Sequence, residues 1–167
     1  MKNVFAAILL SVFCAAPMIA ETISKPTGDI VLSISGSIQN ENSDNTVDFD
    51  MSMLKGLPQQ NFSTTTIWTE GVVEFTGVSL KTVLDYVGFS GTKIEAIASN
   101  DYKIEIPMSG ISDEAPMVAY LMNGDEMSSR GKGPLWIVYP YDKGPKYRTE
   151  VIYSRSIWQL DRILSVE

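Results

Sequence analysis

Short bursts of alternation, rather than long helical stripes, set the pattern of apolar and polar positions in this chain. Asp29–Ile38 (D-I-V-L-S-I-S-G-S-I) places apolar residues at every second position, the period of a strand with one face covered. Gly36 inside it marks a bulge or a close approach of another backbone. Gln39–Thr46 is polar and reads as an exposed turn, and Val47–Asp50 is extended. Asp50 is placed to cap a short helix, Met51–Leu54, that ends at Gly56 and Pro58. A β-branched run from Ser63 breaks at Glu70-Gly71 and resumes as the strand Val72–Thr76. An amphipathic helix follows over Ser79–Val87, with Leu80, Val83, Leu84 and Val87 on one face and Gly88 at its end.

Beyond the helix, Lys93–Ala98 and Tyr102–Ile106 form two strands joined at Ser99-Asn100-Asp101. Pro107–Pro116 is a loop, Met117–Met122 an apolar run, and Asn123-Gly124 a turn. Arg130–Pro134 is a glycine-rich turn ahead of a buried strand, Leu135–Tyr139, and Pro140–Tyr147 is another loop. The end, Val151–Val166, reads as extended with a helical turn around Ser156–Leu160. Many short strands with few short helices predict a single α+β domain.

The first twenty residues stand apart from this pattern. Lys2, the apolar run Val4–Ala16 and the small Ala20 have the form of a secretory signal peptide, too short in its apolar part to span a bilayer. Phe13 before Cys14 argues against a lipidated cysteine. The expected divisions are a leader at 1–20, a flexible lead-in at 21–28 and one domain over 29–167, in a periplasmic or secreted protein without a transmembrane segment in its mature chain. Cleavage removes Cys14, the one cysteine, and the chain has no histidine. That inventory excludes disulfides, zinc sites and Cys–His or Ser–His catalysis in the mature protein. No metal ligands are assigned.

Charge is segregated. From Glu21 to Ser129, five Lys/Arg stand against sixteen Asp/Glu, whereas Arg130–Glu167 holds seven against four. An acidic chain of this kind is not a nucleic-acid binder. The basic final third offers either a local anion site or a docking face for an acidic exported or membrane protein, and its cations can equally pair with nearby carboxylates. Arg130 and Lys132 in R-G-K-G-P, with Arg148 and Arg155 further on, are its candidate anion contacts. Thr64, Thr65, Thr66 and Trp68 read as a polar floor and aromatic wall of a small-ligand pocket, or else as ordinary strand and core residues. Met51 and Met53 read as core rather than copper ligands.

The phrase Phe75–Leu84, F-T-G-V-S-L-K-T-V-L, resembles the aromatic-Thr-Gly turn and helix of the molybdopterin-binding domain found in sulfite oxidases and periplasmic methionine-sulfoxide reductases. The likeness continues through Asn100-Asp101-Tyr102, Asn123-Gly124 and Gly133–Pro140, and reaches back to the strand with Gly36. It implies a mixed β-sheet fold over about Asp29–Glu167, with Asn100 and Tyr102 joining the binding residues and molybdopterin as a possible cofactor. In that family a cysteine about ten residues before the turn binds molybdenum. The matching position here is Thr65, whose hydroxyl is hard and protonated where a thiolate is soft and charged. Two functions follow from the comparison. One is an exported domain binding a small anionic or heterocyclic ligand, or a protein partner, without molybdenum redox chemistry and without a cofactor. The alternative is a molybdopterin oxidoreductase with an oxygen ligand near Thr65.

Overall fold

The computed structural model describes residues 23–166, so the leader lies outside the described residues. Two five-stranded sheets carry the fold. In the first, β1 (Ile30–Ser35) pairs antiparallel with β2 (Thr46–Asp50) and parallel with β10 (Leu160–Val166). β10 in turn pairs with β5 (Lys93–Ala98), which forms a hairpin with β6 (Lys103–Pro107). The first and last strands of the domain therefore lie side by side. Their contact explains Gly36, at φ +99°, where a Cβ would stand 2.7 Å from the Ser165 carbonyl oxygen.

The second sheet is antiparallel. β3 (Gln59–Thr65) pairs with β4 (Val72–Ser79), and β4 with β7 (Met117–Met122). The far edge of β7 is shared by a two-residue strand, β8 (Asp125–Glu126), and by β9 (Trp136–Val138). Asn123 and Gly124, at φ 54° and 85°, make the β7–β8 turn, in the left-handed conformation that tight hairpins require. β7 and β9 are covered on both faces. Val118, Tyr120 and Ile137 point into the main core with Leu32, Phe49 and Leu84, while Met117, Ala119, Trp136 and Val138 join Val73 and Phe75 in a smaller core on the other side. Their sequences consequently read as unbroken apolar runs instead of alternating ones.

Helix α1 (Met51–Gly56) begins as expected: Asp50 accepts a hydrogen bond from Met53 N–H at 2.8 Å. Helix α2 (Leu80–Tyr86) buries Leu80, Val83 and Leu84. Two expectations fail. The lead-in is no loose tether over its described part, because Ile23 is buried in the core and Asp50 accepts the N–H groups of Thr27 and Gly28 at 2.7 and 2.9 Å. These donors, Gly28 first, with Met53, lower the Asp50 carboxyl from the ordinary 3.8 to about 2. Nor is the end extended from Val151. Helix α3 (Glu150–Arg155) forms there, capped by Thr149, whose hydroxyl accepts from Ile152 N–H at 3.2 Å; β10 starts only at Leu160.

Candidate functional site

The chain's three tryptophans, scattered in sequence, meet on the outer face of the second sheet. Trp136, from β9, is fully buried; its indole N–H donates to the Ser156 carbonyl at 3.1 Å, and it stands edge-to-face on Phe75 at 5.3 Å between centroids. Trp68 lies in the turn between β3 and β4, past the end of the strand, and is half-buried. Its ring is edge-on to Trp136, Tyr141, Tyr153 and Trp158, at 5.8, 6.1, 5.8 and 5.8 Å. Trp158 reaches the group because its backbone bridges to Trp136 just before β10. The Lys132 ammonium sits 4.5 Å from the Trp158 ring centre and 5.2 Å from that of Trp136, within cation–π range of both.

Two clefts flank the cluster and share Trp158 as a wall. One, of about 330 Å³, is lined by Asn100, Tyr102, Tyr153, Ser156, Trp158 and Gln159 among others. The other, of about 680 Å³, includes Trp68, Met122, Asp125, Met127 and Lys132. Beneath them Tyr141 donates its hydroxyl to Ser156 Oγ at 2.6 Å, and burial pushes its phenol up to about 12. The neighbouring Tyr139 is buried with no partner for its hydroxyl among the described residues, and burial raises it too.

The threonine run faces a different neighbour, Asp142. Thr64 is buried, and its hydroxyl accepts the Asp142 N–H at 3.0 Å. Thr65 donates its N–H and its hydroxyl to the two oxygens of the Asp142 carboxylate, at 2.6 and 2.7 Å. Arg148 completes the clamp, with its Nη2 on the same carboxylate and its Nε on the Tyr141 carbonyl at 3.0 Å. The Thr65 bonds above all, with Arg148 adding to them, lower Asp142 from 3.8 to about 2. A carboxylate so firmly ionised is a weak base near neutral pH, so this arrangement holds charge rather than moving protons. Thr66 turns away: its hydroxyl meets that of Thr69 at 2.7 Å and accepts from Trp68 N–H at 3.0 Å, fixing the turn that carries the tryptophan.

The family model described as the oxidoreductase molybdopterin binding domain matches residues 29–147. The chain belongs to that family. No curated protein matches it closely enough to serve as a relative. The matched region takes in both sheets as far as β9 and stops at Tyr147, ahead of the helix and strand that bring Tyr153 and Trp158 to the aromatic cluster.

Within this molybdopterin-binding domain, the ten residues singled out from sequence separate into groups. Asn100 and Tyr102 line the smaller cleft; Trp68 and Lys132 line the larger. Thr64, Thr65 and Arg148 gather instead around Asp142, and Thr66 braces a turn, so the threonines build no pocket floor. Arg130 is exposed on its turn, and Arg155 lies in the last turn of α3, near Gly110, away from both clefts. Sequence reasoning missed Asp142, Tyr153 and Trp158. A signal for Asp142 was available in its place, a lone acid between Tyr141 and Lys143 in the most basic stretch of the chain.

The family binds molybdopterin, whose metal needs a ligand. The donors here do not fit that need. Thr65, the position to which the resemblance assigns the family's metal-binding cysteine, is a threonine whose hydroxyl and N–H already hold Asp142. Among the described residues no group of three or more Cys, Asp or Glu side chains is set to hold a metal ion, and no helix is long and apolar enough to cross a membrane.

Proposed function

We infer that this chain is an exported, non-redox member of the molybdopterin-binding family that works by binding a small ligand. One observation carries the reading. Thr65, where the resemblance puts the metal's thiolate, is engaged by an ionised Asp142 that Arg148 also grips. A negative carboxylate at that point is satisfied by the chain itself, and a protonated hydroxyl beside it is a poor ligand for a metal that the family binds through sulfur. The aromatic clefts next to the clamp are pre-formed and offer flat walls with a few polar groups, the usual make-up of a ligand site. Export rests on the leader pattern of residues 1–20.

The rival reading, an oxygen-ligated molybdenum at Thr65, makes a different prediction. After expression with ample molybdate, the wild-type chain and Thr65→Ala are compared for bound molybdenum by elemental analysis. The binding-domain reading expects neither to hold the metal in stoichiometric amount. Molybdenum present in the wild type and lost in Thr65→Ala would establish the rival. Edman sequencing of the same wild-type sample is expected to begin at Glu21, and an intact Met1 would contradict export by a cleaved leader.

A further inference from the structure

We propose that the smaller cleft is a saccharide site, in which a neutral sugar ring stacks between Tyr102, Tyr153 and Trp158. The proposal rests on the binding-domain reading above and adds the ligand's class. Three observations carry it. The first is charge: the nine lining residues are Ala98, Asn100, Tyr102, Tyr153, Ser154, Ser156, Ile157, Trp158 and Gln159, with no Asp, Glu, Lys or Arg among them. An anion entering there would leave water without meeting a counter-charge, so the cleft selects against anions and for an uncharged ligand.

The second observation is which polar groups are free. Ser156 is tied to Tyr141 and Ile152, Ser154 to Val151, and the Gln159 amide to Ser129 and Gly131. That leaves the Tyr102 and Tyr153 hydroxyls, the Trp158 indole N–H and the Asn100 amide. Among the described residues the one side-chain bond in this set is from Tyr102 N–H to Asn100 Oδ1, at 3.1 Å. Donors and acceptors spread around aromatic faces match a pyranose, which has an apolar C–H face and a rim of hydroxyls that both donate and accept.

The third observation is shape. Tyr102 and Trp158 remain 53% and 38% exposed, so a ligand here keeps one side in water. Flat heterocycles gain affinity by being largely enclosed. A sugar, polar at its rim, tolerates that open side and can continue into a longer glycan. The walls are also held in advance. Tyr153 is braced by Trp68 and by Tyr141 at 5.6 Å, and Trp158 by Trp68, Trp136 and the Lys132 ammonium. Lys132 lines the larger cleft and not this one, which puts its charge on the far side of Trp158. Rings fixed before binding lose little freedom on stacking.

The test is a titration of the exported protein, first shown by elemental analysis to be free of molybdenum, with chitotriose and with maltotriose. Tryptophan fluorescence and amide NMR shifts report binding. The expected result is a saturable change with at least one trisaccharide, shifting the amides of Asn100, Tyr102 and Trp158. Tyr102→Ala, on an exposed hairpin turn, should weaken that binding about tenfold while its thermal midpoint stays that of the wild type. Asn100→Ala, a second exposed change, should weaken it as well. Sodium sulfate and lumichrome serve as anion and heterocycle probes and should leave those amides in place. No response to either sugar, a response to sulfate or lumichrome alone, or sugar binding that is unchanged in both variants would overturn the proposal. Any of these in a molybdenum-free protein leaves the non-redox reading intact, whereas bound molybdenum strikes that reading instead.

Discussion

Asp142 is a carboxylate held by the Thr65 N–H and hydroxyl and by Arg148. Its folded pKa lies below its ordinary value, so its contribution to stability is present above 3.8 and is lost as the pH falls through about 2. Asp142→Asn keeps the shape but not the charge. Urea denaturation should show a wild-type advantage near neutral pH that closes by about pH 2. Asp50 titrates alike in both proteins and cancels from that difference; an advantage that held constant with pH would rule out the clamp. Gly77 is held by a close strand contact. It is the glycine of the aromatic-Thr-Gly motif, which lies inside β4 rather than at a turn, and a Cβ there would stand 2.1 Å from the Val118 carbonyl oxygen on β7. Gly77→Ala should therefore cost about 1–3 kcal/mol in urea denaturation, as overpacking does, and an unchanged midpoint would show that the strands can part. The motif was legible as a pattern in the sequence, but the turn expected there is not found: β4 runs on through Gly77 to Ser79. The reason for its glycine was not legible, because β7 lies some forty residues further along the chain.

Among the elements, α3 was the one most plainly misread. Thr149-Glu150 is a good helix start, a hydroxyl cap followed by an acid near the positive end of the helix. The pattern after it, Val151-Ile152-Tyr153, has the β-branched look of a strand. The cap prevails because Thr149 Oγ1 takes the Ile152 N–H and the strand that follows is supplied later, at Leu160. Thr149→Ala should destabilise this short helix by about 1 kcal/mol. Hydrogen exchange should then quicken over Glu150–Arg155 and not over β10; equal quickening everywhere would mean that the helix is no separate unit. Strands β4, β5, β6 and β7 and helix α2 were readable because each has one clear periodicity or one unbroken apolar run between turns. The sorting of the strands into two sheets was not, since it depends on the parallel β1–β10 pairing of the two ends, which no local pattern announces.

Across the whole molecule, the matched family region ends at Tyr147 while the aromatic cluster draws on residues on both sides of that limit. The final segment both closes the first sheet as β10 and walls the clefts with Tyr153 and Trp158. The start is anchored as well. A chain beginning at Asp29 would lose the buried Ile23 and two N–H donors to Asp50, and its thermal stability should drop by at least the roughly 1.5–3 kcal/mol of one buried aliphatic side chain; an unchanged melt would return the lead-in to the role of a tether. Of the residues singled out from sequence, Trp68, Asn100, Tyr102 and Lys132 line the clefts; Asn100 and Tyr102 came from the family resemblance, Trp68 and Lys132 from an aromatic near a strand end and a glycine-rich turn. Asp142 stayed hidden because its meaning lies in a contact with Thr65 across seventy-seven positions. That contact is the centre of the account, and native mass spectrometry of the protein purified from molybdate-fed cells tests it most directly. The account predicts the mass of the bare polypeptide with nothing added, and a species heavier by a molybdenum-bearing pterin would contradict it.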